Sequence, residues 1–137
     1  MHKTASLRLL LPALTSALLA LPSLGHAAAG DDACNALIEA RTSLVRMLGV
    51  NDPRHLTEMR AQVQAASANL EGLLSTMSAT EPARVAAFKP TWEAFKKTRE
   101  QEIIPAIMQG NHKEARTLVV GVQSQRMREM KAVLGCR

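Results

Sequence analysis

The sequence predicts an all-α protein, an antiparallel up-down-up-down four-helix bundle, on three observations. Hydrophobic residues make up 47% of the chain but aromatic ones only 2%. The apolar content is therefore Ala, Leu, Val and Met, which lean towards helix, whereas sheets draw on aromatic and β-branched side chains. Second, Leu56, Met59, Val63, Ala66, Leu70, Leu73 and Met77 recur at alternating steps of three and four residues, a seam with heptad spacing. Third, the breaks Val50-Asn51-Asp52-Pro53, Thr80-Glu81-Pro82 and Gly110-Asn111 are short, which makes consecutive helices neighbours.

The remaining composition excludes several function classes. A chain of 137 residues supports one domain with a core and not two comfortable ones. Its net charge of +5 rests on 17 Lys+Arg against 12 Asp+Glu, yet one Trp, two Phe and no Tyr cannot supply the stacking platforms of a single-strand nucleic-acid binder. The high apolar fraction excludes a disordered basic tail.

The chain opens with a secretory pattern. Lys3 and Arg8 form a basic start without acids, and positions 9–21 are apolar apart from Thr15 and Ser16. Pro22 and Gly25 are expected to break helix ahead of the small run Ala27-Ala28-Ala29-Gly30. The expectation is a signal peptide over residues 1–29, cleaved after Ala29, and a bundle over 30–137. The apolar stretch is shorter than the roughly 20 residues of a spanning helix, so no stable membrane insertion is expected. Cleavage removes Lys3 and Arg8 and no acid, leaving about 108 residues at a net charge of about +3. The expected location is the periplasm.

The four segments follow in order. Asp31 and Asp32 suit the first turn of helix one, whose stripe is Cys34, Leu37, Ile38, Leu44, Val45 and Leu48, ending at Gly49. The seam at 56–77 is helix two. Thr80 is the expected cap of helix three and Pro82 suits its first turn. That helix carries Val85, Phe88, Trp92, Phe95, Ile103 and Ile107, and Pro90 and Pro105 within it should kink it or shift its start. Helix four opens on Asn111, with Glu114 placed to close a capping box, and runs through Leu118, Val122 and Met130 to Leu134.

Cys34 near the start of helix one and Cys136 after helix four fall at the same end of such a bundle. In an exported protein they are expected to form a disulfide, which contributes about 2–4 kcal/mol by restricting the unfolded chain.

No phosphate loop, nucleophile elbow or zinc-protease motif occurs, so no catalytic residues and no enzyme activity are expected. His55 and His112, with Met47 or Met108, are weighed as a soft-metal site against solvated first-turn histidines, and no metal or other cofactor is expected. Covalent haem needs a C-x-x-C-H pentapeptide, which is absent.

The more informative feature is arginine on apolar stripes. Arg41 lies between Ile38 and Leu44, Arg99 follows Trp92 and Phe95 on one face, and Arg126 lies between Val122 and Met130. Each guanidinium needs a carboxylate, a route to water or an anion. Glu102, Glu39 and Glu129 are the expected internal partners of Arg99, Arg41 and Arg126. The functional alternative is a carboxylate-like ligand held by Arg99 and Arg41 with Trp92 beside it.

The sequence Trp92-Glu93-Ala94-Phe95, Arg99, Glu102-Ile103-Ile104, Gly110-Asn111-His112-Lys113-Glu114-Ala115 and Leu118 resembles, in that order, the second half of the four-helix-bundle sensor domain of methyl-accepting chemotaxis receptors. Soluble b-type cytochromes share a similar small-residue turn. The receptor resemblance implies a periplasmic bundle that recognises small molecules, often as a homodimer. Those receptors continue from helix four into a membrane anchor and a signalling region, whereas this sequence ends at Arg137. The expected function is thus a sensor-like, non-catalytic module that binds a small ligand, an anion being the candidate class, or an envelope protein. The alternatives are a metal- or haem-carrying bundle and an envelope accessory or chaperone-like protein.

Overall fold

The computed structural model describes residues 24–137, and it is helical throughout apart from short turns. Residues 1–23, most of the expected signal peptide, lie outside the described part. The helices are α1 (Leu24–Met47), α2 (Pro53–Met77), α3 (Pro82–Thr98), a π-helical turn (Arg99–Ile103), α4 (Ile104–Met108), α5 (His112–Val120) and α6 (Val122–Leu134). The third arm of the bundle is α3, the π turn and α4, and the fourth is α5 with α6.

Among the described residues α1 runs from Leu24, Gly25 does not interrupt it, and Asp31 and Asp32 are interior positions, not caps. A lone glycine costs a helix about 1 kcal/mol, and the alanines that follow are the best helix formers. The buried line of α1 is Ala33, Leu37, Ala40, Leu44 and Met47. Ile38 and Val45, expected inside, are 44% and 40% exposed. The small residues Ala33, Ala36, Ala40 and Ser43 carry the inner face instead, and they let α2 approach closely in the most extensive helix pairing of the fold.

Asp52 caps α2, its Oδ1 accepting from the Arg54 and His55 amides at 2.8 and 3.4 Å. The buried line of α2 is Leu56, Met59, Val63, Ser67, Leu70, Leu74 and Met77. It leaves the expected seam at Ala66 and Leu73, both half-buried, and moves one position on to Ser67 and Leu74. The steps become 3, 4, 4, 3, 4 and 3, the same steps in another order, so the line shifts locally at Ser67 and Leu74 and keeps its average repeat.

Helix α3 begins at Pro82 as expected, but its cap position is Glu81, without a side-chain cap bond, and Thr80 Oγ1 donates to the Met77 carbonyl. The helix continues through Pro90, because Pro90 and Ala86 face solvent, where water serves the carbonyl the proline cannot. At Pro105 the helix does restart. The preceding turn is π-helical, with the Ile104 amide donating to the Arg99 carbonyl five residues back, and Pro105 lies in the first turn of α4. A proline with no N–H for the carbonyl four residues back suits a place where the ladder has already changed register.

Gly110 makes the turn into α5 with φ +79°, and the Asn111 amide reaches back to the Ala106 carbonyl at 2.7 Å. The Asn111 side chain makes no cap bond, so the expected box with Glu114 does not form. The fourth arm is not one helix. It breaks at Gly121, where an added Cβ would stand 2.9 Å from the Thr117 carbonyl oxygen.

Cys34 and Cys136 form the expected disulfide, spanning 102 residues of chain. A second tie, Arg41 to Ser124, lies further along α1 and further back along α6. The same order holds between α2 and the third arm, where Glu71 meets Trp92, Ser67 meets Arg99 and Arg60 meets Glu100.

The glycines give a paired test. Gly121→Ala must displace backbone and is expected to lower stability by about 1–3 kcal/mol. Gly72→Ala, in the interior of α2 with nothing within 4 Å of the new methyl, is expected to raise it by about 0.5–1 kcal/mol. Urea midpoints at unchanged slope measure both, and a Gly121→Ala variant as stable as the parent would contradict the break.

Candidate ligand-binding grooves

The arginines and the tryptophan singled out as ligand contacts in the sequence separate into two places. Trp92 and Arg99 share the seam between α2 and the third arm, while Arg41 lies on the seam between α1 and α6.

On the first seam, Phe88, Trp92 and Phe95 recur every third or fourth residue of α3 and stack, with ring centroids 6.3 and 5.6 Å apart. Trp92 is only 2% exposed, and its Nε1 donates to Glu71 Oε1 at 3.0 Å. Lys96, one turn on, donates to the same oxygen at 2.6 Å and pairs with Glu93 at 3.0 Å. Its ammonium also stands 5.7 Å from the indole centroid. Glu71 and Lys96 escape a reading of the sequence, since pairing between helices leaves no mark on the spacing within either.

Arg99 is 3% exposed and does not contact its expected partner. Its Nε donates to Glu100 at 2.9 Å, its Nη1 to Ser67 Oγ at 2.6 Å, and its guanidinium lies 5.9 Å from the Trp92 ring. The π turn explains why Glu100 replaces Glu102, because the wider turn changes which side chains share a face. Arg126 likewise misses Glu129 and donates to Thr98 Oγ1 and Gln123 Oε1, at 2.8 and 3.0 Å. Glu129 accepts from Gln125 instead. Gln123, buried, donates to the Phe95 carbonyl beside the π turn.

Outside this polar layer, α2 and α3 leave an open groove of about 410 Å³. Phe88 and Trp92 form its apolar wall, and Glu71, Glu93, Lys89 and Lys96 form its charged rim. Arg99 does not line it. Two carboxylates and two ammoniums with an indole between them suit a small molecule that carries both signs of charge.

On the second seam, Arg41 Nη2 donates to Ser124 Oγ at 2.8 Å, and Glu39, its expected partner, pairs with Arg46. Arg41 Nε is buried without a hydrogen-bond partner, and so is His112 Nδ1. Among the described residues, no group of three or more His, Cys, Asp or Glu side chains could hold a metal ion. His55 pairs with Glu58 on the surface.

Comparison with known proteins identifies no relative to set beside this geometry: no protein family, curated protein or solved structure matches the chain. The disulfide fits an oxidising, extracellular compartment, and among the described residues no helix is long and apolar enough to cross a membrane.

Two opposed effects act on Glu71. Burial works to raise its pKa, but the hydrogen bonds from Lys96 and Trp92, with the charges of Lys96 and Arg99, outweigh it and hold the carboxyl below its ordinary value of 4.5. Burial works to lower the pKa of Lys96, and its bonds to Glu71 and Glu93 raise it above 10.5. The Glu71 contribution is therefore complete above its unfolded pKa and disappears as pH falls through the lower folded one. The Lys96 contribution is complete at neutral pH and is lost only as pH rises through its raised value. Trp92, the single tryptophan, reports on this directly. Acid titration of its emission is expected to show a reversible step with a midpoint below 4.5, absent in Glu71→Gln; a parent midpoint at or above 4.5 would contradict the pairing.

Proposed function

We propose that this chain is an exported, non-catalytic four-helix module of the periplasm that binds a small zwitterionic molecule, such as an α-amino acid, in the groove between α2 and α3. The observation that carries this reading is the indole wall between Glu71, Glu93, Lys89 and Lys96. A ligand ammonium can take the place of Lys96 at the carboxylates, and a ligand carboxylate can take the lysines that are released. The apolar part of the ligand then lies on Val85 and the accessible edge of Trp92.

Three further features agree with this reading. The first 29 residues have the order of a cleaved signal peptide, and a disulfide belongs to an exported protein. The residues that carry the resemblance to chemotaxis-receptor sensor domains, which run on to Leu118, include Trp92, Phe95 and Arg99, two of the stacked rings and the buried cation of this seam. A sensor-like module of this kind acts by presenting its bound ligand to another envelope protein.

Trp92 emission provides the test. Titration with each of the common amino acids is expected to give a saturable change for at least one, reduced about tenfold or more in affinity by Lys96→Ala or Glu93→Gln. Absence of any change across amino acids would refute the small-molecule reading of this groove.

A further inference from the structure

The seam between α1 and α6 contains a second groove, of about 390 Å³, away from Trp92. Its charged lining is Arg41, Arg128 and Lys131, and no carboxylate side chain lines it. Among the described residues, none of these three cations has a carboxylate within 4.0 Å, although Arg46, Arg60, Arg84, Lys96 and Arg99 all do. What sets this groove apart is its lining: the first groove has Glu71 and Glu93 beside its cations, whereas here three cations share one groove with no carboxylate.

Arg41 is the most informative of the three. It is half-buried, its Nη2 is fixed by Ser124 Oγ at 2.8 Å, and its Nε is buried with no acceptor. Ser124 in turn donates to the Val119 carbonyl at 3.0 Å, across the break at Gly121, which fixes the hydroxyl that holds the guanidinium. A buried N–H without an acceptor is costly, and among the residues that line the groove no carboxylate offsets the charge that carries it. An oxyanion in the groove supplies the missing counter-charge, since a carboxylate or phosphate accepts from the Nη groups of Arg41 and from each neighbouring cation. Ile38, exposed on α1, and Met127 give the groove an apolar wall beside the charges.

We infer that the α1–α6 groove is a separate site for a small oxyanion, a carboxylate with a short apolar body or a phosphate, held by Arg41 with Arg128 and Lys131. Arg41 provides the directional contact and Ser124 orients it. Arg128 and Lys131 supply the attraction that draws the anion in. The apolar wall favours the organic carboxylate, because bare phosphate leaves Ile38 and Met127 uncovered.

Isothermal titration of the purified protein tests this with two probes, butyrate and inorganic phosphate, each against chloride at equal ionic strength. Saturable binding of butyrate that weakens with added salt is expected. It should fall at least about tenfold in Arg41→Gln and by a similar factor in the double variant Arg128→Gln/Lys131→Gln, while Trp92→Phe leaves it unchanged. Saturable phosphate binding with the same dependence on Arg41 also supports the site and shows that the charge suffices without the wall. The double variant lies at the surface side of the groove, so it reports even if Arg41→Gln fails to fold. No saturable binding of either anion beyond chloride overturns the inference. Binding that survives both sets of changes overturns it too, as does binding lost only in Trp92→Phe, which places the anion between α2 and α3.

Discussion

The buried guanidinium of Arg99 is the interaction on which the rest of this fold depends. A positive charge at 3% exposure is tolerated only when its donors are met and a negative charge is near. Ser67 on α2 and Glu100 on the adjacent π turn meet these needs, and the Trp92 face lies alongside. The cation therefore ties α2 to the third arm at one height. That height places the seam of α2 at Ser67 and not at Ala66. It also places Trp92 within reach of Glu71 and so shapes the groove between the two helices. Gln123 and Arg126 extend the same polar layer to α6.

The seams of the bundle differ in kind, and the difference separates structure from function. Small residues on α1 bring α2 close, and that seam is the most extensive helix pairing of the fold. The seams between α2 and α3 and between α1 and α6 are held by a few polar ties and, at one end, by the disulfide. Fewer apolar contacts leave these seams open, and both grooves lie on them. One groove is balanced in charge and has an indole wall. The other is wholly basic. The closely packed pair α1 and α2 thus contributes to two chemically distinct surfaces.

Much of this fold is legible in the sequence, for identifiable reasons. Leu56, Met59, Val63, Leu70 and Met77 are large, apolar and regularly spaced, and all five are buried. The turn at 50–53 and the disulfide follow from local chemistry and from the bundle's geometry. The stripe of α1 is less legible, because spacing read from Ile38 and Val45 gives weight to large side chains, whereas close packing there uses Ala33, Ala36 and Ala40. The π turn is signalled only indirectly by Pro105, and Gly121 resembles any tolerated helical glycine until the approach of the Thr117 carbonyl is known. Of the candidate site, the cluster of Trp92 with Arg99 can be read along one helix, since both residues belong to the same arm. Their partners Glu71 and Ser67, and the isolation of Arg41 from any acid, depend on how the helices meet, which spacing within a helix does not encode.

A double-mutant cycle between Arg99 and Ser67 tests most directly whether the buried cation is a tie between helices. Unfolding free energies of Arg99→Met, Ser67→Ala and the double variant give the coupling. The account predicts a coupling of about 1–3 kcal/mol, as for a buried hydrogen bond to a charged group. Additivity within about 0.5 kcal/mol would contradict it.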